Sequence, residues 1–527
     1  MKKMPAQGMP AVKQLFWTEL NYDRADEPLS RRDWPQQARE VLAGAPRILA
    51  RHTSQYGDFE VIYAPLAKEQ IGRAFPLSLT AERLAVTQLL KHHPYALFLF
   101  SDDAEAHWHL INVKYEVPGA SEAPGTSRRR VFRRIAVGPH ERLRTAAERV
   151  AMLDLATLSP DLSGLSPLAI QGRHDQAFDV EAVTRRFFAD YRRIFEAAET
   201  QITGLAGEDM RLFTQLLFNR LLFITFLERK SWLTFDGRDD YLRALWEDHR
   251  ASAAKDAAGA NFYRDRLTLL FFSGLNNPQS VNLAQIQGDG FLQSRIGRVP
   301  YLNGGLFEQE KLDVLEGVTV PDAIFGPVFD QLVYHYNFTV TESTPFDVQV
   351  AVDPEMLGKI FEELVTGRHE SGSYYTPKPV VAFMCREALK GYLADTCPQE
   401  TGDGLAAFVD RRDAARMQRP ERVLAALQDV RVCDPACGSG AYLLGMLHEL
   451  IDLRQALFVS RGVDPRAVYD KKLEIIQRSL YGVDVDPFAV NIARLRLWLS
   501  LIVDFEGETP PPLPNLEFKI EVGDSLT

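Results

Sequence analysis

Apolar positions along this chain change their period twice. Up to about residue 170, short runs of β-branched and aromatic residues alternate with helix-like stretches. FEVIYAPL (59–66), YALFLF (95–100), WHLINVKYE (108–116) and VFRRIAVG (131–138) predict strands. ERLAVTQLLKHH and HERLRTAAERVAMLDL predict helices between or after them. VPGASEAPGTS (117–127) is a loop by composition. Residues 1–170 therefore predict a small mixed α/β domain.

From about 178 the helical period takes over, and 171–345 predicts a helical domain. VEAVTRRFFADYRRIFEAAETQI puts Val183, Phe187, Tyr191, Ile194 and Phe195 on one stripe. LFTQLLFNRLLFITFL, Leu212 to Leu227, is the most apolar stretch. It holds Gln215, Asn219 and Arg220, and it falls short of the ~20 apolar residues that span a bilayer, so it predicts a buried core helix. Helical segments at Tyr241 to Trp246 and Phe262 to Phe272 follow, and Asn303-Gly304-Gly305 signals a turn.

From 346 to 527 the pattern is helix and strand again. A helix near 354–366 precedes SGSYYTPKPV, and VVAFMCREALKGYL predicts a second. Three strand-like runs, VRVCDPACGSG, SLYGVDVDP and FKIEVGDS, alternate with the helices AYLLGMLHELIDLRQALF and FAVNIARLRLWLSLIVDF. That order predicts a doubly wound parallel α/β sheet.

Composition narrows the class. With 46% hydrophobic and 25% charged residues in 527, the chain reads as an ordinary globular protein able to bury several cores. Cys385, Cys397, Cys433 and Cys437 form no zinc-like spacing, and so few thiols fit a reducing, cytoplasmic setting. MKKMPAQGMPAVKQLFWTEL has lysines but no apolar core after them, so neither a signal peptide nor a membrane segment is expected. The net charge of −11 argues mildly against a nucleic-acid partner, although arginines cluster at 128–134 and 411–422.

The chemistry lies at the ends of the three C-terminal strands. In VRVCDPACGSG an apolar strand runs into Asp434-Pro435 and a turn of small residues before a helix. Gly438 and Gly440 let backbone approach a ligand, and the helix that follows offers free N–H groups to it. A nicotinamide fingerprint needs a third glycine at 443, where Leu443 stands. About 45 residues on, GVDVDP supplies Asp484 and Asp486. An acid at the second strand's tip can accept both ribose hydroxyls. Asp484 is placed for that, and Asp486 before Pro487 is placed to cap the next helix. The third strand ends in Gly523-Asp524-Ser525, where an acid can accept a hydrogen bond from an adenine amine.

SYYTP (373–377), DPACGSG (434–440), GVDVDP (482–487) and GDSL (523–526), in that order, resemble the motifs of N6-adenine DNA methyltransferases of restriction–modification type in their gamma arrangement. LFNRLLFITFLERKSWL, YLNGGLFE and DPEMLGKIFEELV resemble the upstream helical region of large fused restriction–methylases and phage-defence methylases. The resemblance covers 180–527 well and 1–180 loosely. It implies a Rossmann-like sheet, S-adenosyl-L-methionine as cofactor, double-stranded DNA as partner and methyl transfer to adenine N6. It also implies roles. Tyr375, Thr376 and Pro377 match the motif at the cofactor's methionine end; Asp434, Ala436 and Gly438 match the loop around the methionine moiety. Asp484 matches the ribose-binding acid, Val485 the apolar residue against the adenine ring, and Asp524 the acid that reads the adenine amine.

The family's catalytic Asn/Asp-Pro-Pro-Tyr/Phe motif, on its fourth strand, does not occur. The only adjacent prolines are in TPPPLP (509–514), followed by Asn515-Leu516-Glu517. No catalytic residue is therefore assigned, and the chain is expected to be inactive alone. The incomplete sheet would be completed by a second chain, unless the sequence is a truncated product or partial record. Two other classes stay open: a DNA-binding or cofactor-sensing scaffold derived from such an enzyme, and a component of an RNA or protein methyltransferase. Fused relatives carry a metal nuclease at the N-terminus. Here Asp102 or Asp103 is followed by Asn112-Val113-Lys114, with asparagine where an acid is needed. The expectation is a structural or DNA-contacting domain without a metal site.

Overall fold

The structure is a computed structural model that describes residues 1–67, 77–116, 129–139, 141–159, 164–254, 259–276, 291–302, 305–339, 347–352, 376, 378–458, 466–505, 507 and 509–526. Two compact units result, Met1–Phe187 with Tyr334–Val352, and Phe188–Val333 with Asp353–Thr527. Periodicity separates 1–170, 171–345 and 346–527, whereas packing groups 188–333 with 353–527. The reason is a core helix of the middle region that packs against the C-terminal one, described below.

The first unit is built on a seven-stranded mixed sheet with its strands in chain order. They are β1 (Asp23–Pro28), β2 (Arg47–Ser54), β3 (Gly57–Pro65), β4 (Ala96–Ser101), β5 (Trp108–Glu116), β6 (Arg129–Val137) and β7 (Asp347–Gln349). Neighbours are antiparallel except β3 with β4 and β6 with β7. A parallel pair needs a crossover, and helix α1 (Leu79–Leu89) supplies it between β3 and β4. Every residue of β4 is buried, as its unbroken apolar run implies.

The four strands expected here are β3 to β6, each displaced by two residues at most. β1, β2 and β7 were not legible. β1 reads DRADEP and is exposed at all but one position, the habit of an edge strand.

Two members of the set considered for nuclease chemistry, Asp102 and Asn112, hold partners within this unit. Asp102 accepts from Ala106 N at 2.8 Å, His107 N at 3.1 Å and His107 Nδ1 at 2.8 Å. Asn112 donates to Asp175 at 2.7 Å. Among the described residues no group of three or more His, Cys, Asp or Glu is arranged to hold a metal.

In the second unit, α2 (Val180–Gln201), within which the division falls, buries all five residues of its predicted stripe. Tyr191 and Phe195 meet Phe218 edge-on, at centroid distances of 5.5 and 5.3 Å. Phe218 belongs to α3 (Gly207–Arg229), whose most apolar window is 89% buried. Against the sequence expectation, the full helix is long and apolar enough to cross a membrane; its burial is that of the core helix expected. Its buried arginine is neutralised inside. Arg220 grips Asp313 with two bonds of 2.8 Å and donates to the carbonyls of Leu306 at 2.8 Å and Glu308 at 3.0 Å.

The C-terminal region holds a three-stranded parallel sheet, β8 (Val432–Asp434), β9 (Leu480–Asp484) and β10 (Ile520–Val522), in the order β10-β9-β8. Helix α4 (Lys378–Thr396) precedes it, α5 (Ala441–Phe458) and α6 (Arg466–Arg478) join β8 to β9, and α7 (Pro487–Asp504) joins β9 to β10. Helix α3 is fastened to α7 at both ends: Gln215 donates to Phe488 O at 2.8 Å and Lys230 to Val503 O at 2.6 Å. That packing makes 188–333 and the C-terminal region one body.

The strands are parallel as expected, yet among the described residues only one face is covered. Strand alternation and register put Val432, Leu480, Gly482 and Ile520 on one face and Cys433, Tyr481, Val483 and Glu521 on the other. Leu480 and Ile520 are buried, whereas Cys433 and Glu521 are exposed. Among the described residues no helix lies over that second face, and β8 has no neighbour on its outer edge.

Candidate cofactor site at the strand tips

Parallel pairing aligns Asp434 with Gly482 and Asp484 with Val522, so all three strands end at one rim. The turn after β8 is set by its own first residue, since Asp434 Oδ1 accepts from Ala436 N at 3.2 Å. Cys437 N then donates to Val483 O at 2.9 Å and Gly440 N to Cys437 O at 2.8 Å. Both glycines are left-handed, with φ of 53° at Gly438 and 81° at Gly440, which residues with a Cβ adopt at a cost. Their reasons differ. A Cβ on Gly440 would meet Ala493 Cβ of α7 at 3.0 Å; a Cβ on Gly438 would meet nothing within 4 Å. Gly440 therefore serves helix packing, and Gly438 leaves an open cradle.

Asp484 is the hub of the rim. Its Oδ2 accepts from Gly438 N at 2.8 Å and its Oδ1 from Asp486 N at 3.0 Å. Each carboxylate oxygen keeps a further lone pair. Backbone bonds continue the link to the third strand, because Gly523 N donates to Asp484 O at 2.9 Å. Asp486 caps α7, accepting from Phe488 N at 2.8 Å, as its place before Pro487 predicts. Val485 is 75% exposed beside these groups. Asp524 is exposed, and one of its oxygens accepts from Leu526 N at 2.9 Å.

Two acids carry perturbed protonation. Burial, and then the charge of Asp484, hold the Asp434 carboxyl above the usual carboxylate range. Its Oδ2 is buried with no hydrogen-bond partner among the described residues. Burial likewise raises Asp486. The thiol of Cys437, packed under the turn, is pushed up to about 12, chiefly by burial.

Of the residues expected at the site, Asp434, Ala436, Gly438, Gly440, Asp484, Val485 and Asp524 come to this rim. Tyr375 and Pro377 lie outside the described residues. Thr376 is half-buried and immediately precedes α4. The first turns of α4 lie on those of α5, where Tyr442 Oη donates to Met384 Sδ at 3.0 Å. This contact brings the chain at Thr376 toward the helix that follows the glycine turn.

Two arginines were missed. Arg496, buried in α7, donates to Ser439 O at 2.7 Å and clamps the turn from beneath. Arg494 donates to Ile520 O at 2.7 Å and holds the start of β10. The signal was there: two arginines set into the apolar helical run NIARLRLWLSL need partners when buried.

Comparison with known proteins finds similarity to DNA methyltransferases of restriction–modification systems. Residues 411–506 match the family model described as MmeI, DNA-methyltransferase domain. A protein from Methanocaldococcus jannaschii, described as a candidate type II restriction enzyme and methyltransferase, is 31% identical over 60% of this chain and 27% of its own length. The adenine-specific methyltransferase PglX of Streptomyces coelicolor is 32% identical over 19% of this chain and 8% of that protein. The chain thus spans about a quarter of the length of the first relative. Among solved structures, the type IIL restriction-modification enzyme MmeI in complex with DNA overlaps 65% of this chain and 40% of its own, at 17% identity and a TM-score of 0.40.

Proposed function

We propose that this chain carries the S-adenosylmethionine-binding half of an adenine-N6 DNA methyltransferase of a restriction–modification or phage-defence system, on a Rossmann-like sheet. The observation that carries the proposal is the rim itself, where Asp434, Gly438, Asp484 and Asp524 converge on three parallel strand tips. The residues suit the cofactor. The buried, unpartnered Asp434 Oδ2 offers a charge to a cationic methionine end, and the open space at Gly438 admits its chain.

On this reading Tyr375, Thr376 and Pro377 hold the methionine end, Asp434, Ala436 and Gly438 form the cradle around it, and Gly440 supports that cradle by letting α7 pack close beneath the turn. Asp484 accepts the ribose hydroxyls with its remaining lone pairs, Val485 lies against the adenine, and Asp524 accepts the adenine amine. When bound, the cofactor supplies an electrophilic methyl group on a sulfonium. The chain's contribution is to orient that methyl, since rate gains from proximity require both reactants to be held. The target adenine must also leave the duplex stack and meet groups that accept hydrogen bonds from its amine. Residues 1–527 hold no Asn/Asp-Pro-Pro-Tyr/Phe motif for that task. The open edge of β8 is where a further strand bearing it would dock, including one from a second chain. DNA is the macromolecular partner.

Calorimetric titration with S-adenosylmethionine and S-adenosylhomocysteine tests the cofactor half. One site per chain is expected, with density at the strand tips in a cocrystal; no heat and no density would end the reading. Tritiated methyl transfer tests the rest. Residues 1–527 alone should label no DNA, and labelling by that polypeptide would overturn the assignment of the acceptor motif to another segment.

A further inference from the structure

A cavity of about 500 Å³ lies in the second unit and shares no lining residue with the strand-tip site. It falls within the ~300–1,000 Å³ usual for small-ligand sites. Its walls include Trp232, Gly274, Arg298, Tyr301, Pro510 and Pro512. The prolines belong to the loop that enters β10, whereas the cofactor residues leave the strands at the other end.

These walls are fixed by main-chain bonds. Thr234 and Arg298 exchange backbone hydrogen bonds of 3.1 and 2.9 Å, and Leu513 N donates to Leu302 O at 2.5 Å. The indole of Trp232 donates to Gly507 O at 3.0 Å and meets Phe505 edge-on. Gly297 is left-handed at φ 67°, and a Cβ there would also meet Thr234 O at 2.3 Å, so the position requires glycine.

Two features define what the cavity would accept. Flat groups line it: an indole, a phenol and pyrrolidine rings. The backbone of Arg298 is locked in the bridge to Thr234, yet its guanidinium has no hydrogen-bond or ion-pair partner among the described residues. Among the described residues no carboxylate lines the cavity to neutralise it. A planar ring suits the flat walls, and an anion suits the fork of an arginine. A nucleotide presents both. We infer that this cavity is a second site, for a nucleoside monophosphate unit, its phosphate on Arg298 and its base against Tyr301 and Trp232. The unit is either a free nucleotide or one residue of a displaced DNA strand.

The inference does not depend on the cofactor reading, and thymine probes keep the two apart by avoiding adenine. Full-length protein is titrated with thymidine 5′-monophosphate, thymidine and a ten-residue oligothymidylate, followed by tryptophan fluorescence and calorimetry. Saturable binding of the monophosphate or the oligomer is expected, with thymidine and the Arg298→Ala variant each roughly 10- to 100-fold weaker, the loss that follows one charged hydrogen-bond pair. Arg298 is exposed, so the variant should melt with the wild type; Tyr301→Ala supplies a second reading. Preference for the monophosphate identifies a free nucleotide as the source, and preference for the oligomer a strand. Either outcome supports the site. No binding of both probes at millimolar concentration, unchanged affinity in Arg298→Ala, or binding abolished by Asp484→Asn would overturn it.

Discussion

Asp484→Asn is the substitution that separates a ribose-binding carboxylate from a merely structural one. In the protein Asp484 accepts two backbone N–H groups, from Gly438 at 2.8 Å and Asp486 at 3.0 Å. Asparagine retains one oxygen. Its NH₂ must then face one of those donors, so one charge-assisted bond becomes a donor–donor contact. Such a bond contributes about 1.5–3 kcal/mol, and the half-exposed rim puts the loss of folding stability at the lower end, about 1–2 kcal/mol. Cofactor binding should suffer more, because the ribose hydroxyls lose a charged acceptor and the glycine turn shifts as well. About 2–3 kcal/mol corresponds to a roughly 30- to 150-fold rise in Kd. Asp486→Ala is the control: loss of the cap bond to Phe488 N lowers stability by about 1 kcal/mol, with Kd changed less than about threefold. Calorimetry at 25 °C and chemical denaturation measure both quantities for both variants. Should Asp484→Asn bind S-adenosylmethionine as wild type does, or should Asp486→Ala weaken binding equally, Asp484 has no special claim on the ribose.

Three further outcomes are expected. Asp434 keeps its proton to a higher pH than an ordinary carboxyl, so below that raised pKa a cationic sulfonium must displace the proton. Affinity for S-adenosylmethionine should fall as pH drops through the raised pKa while that for uncharged-sulfur S-adenosylhomocysteine falls less, and calorimetry in buffers of different ionisation enthalpy should detect proton release. His174, fully buried against Tyr22 at 2.9 Å, is pushed down to about 3 by burial. The unfolded chain binds this proton first, so stability of the first unit should be complete above pH 6.5 and fall by a few kcal/mol toward pH 3; His174→Leu should flatten that slope in denaturation curves. Arg220→Met leaves the fully buried Asp313 carboxylate unpaired and should cost about 3–5 kcal/mol, read as a shifted urea midpoint for the second unit; a shift under about 1 kcal/mol would mean the pair relaxes to solvent.

The parts legible in the sequence were those that local chemistry specifies. DPACGSG combines an acid able to close its own turn with glycines whose left-handed geometry is open to few other residues, so strand, turn and helix could be placed before any packing was known. Asp486 before Pro487 announced a helix cap in the same way. The stripe of α2 and the continuous apolar run of α3 set their burial by period alone.

Tertiary structure decided what depends on residues far apart in the chain. β1 and β7 are strands because a neighbour offers them an edge, not because DRADEP or DVQ favours extension. Arg494 and Arg496 read as ordinary helix residues until α7 lies under the glycine turn and Ser439 and Ile520 supply their acceptors. Asp484 is within reach of Gly438 only through the parallel register of β8 and β9. Local sequence carries backbone preference and period, whereas which groups satisfy a buried charge or share a rim is settled by non-local pairing.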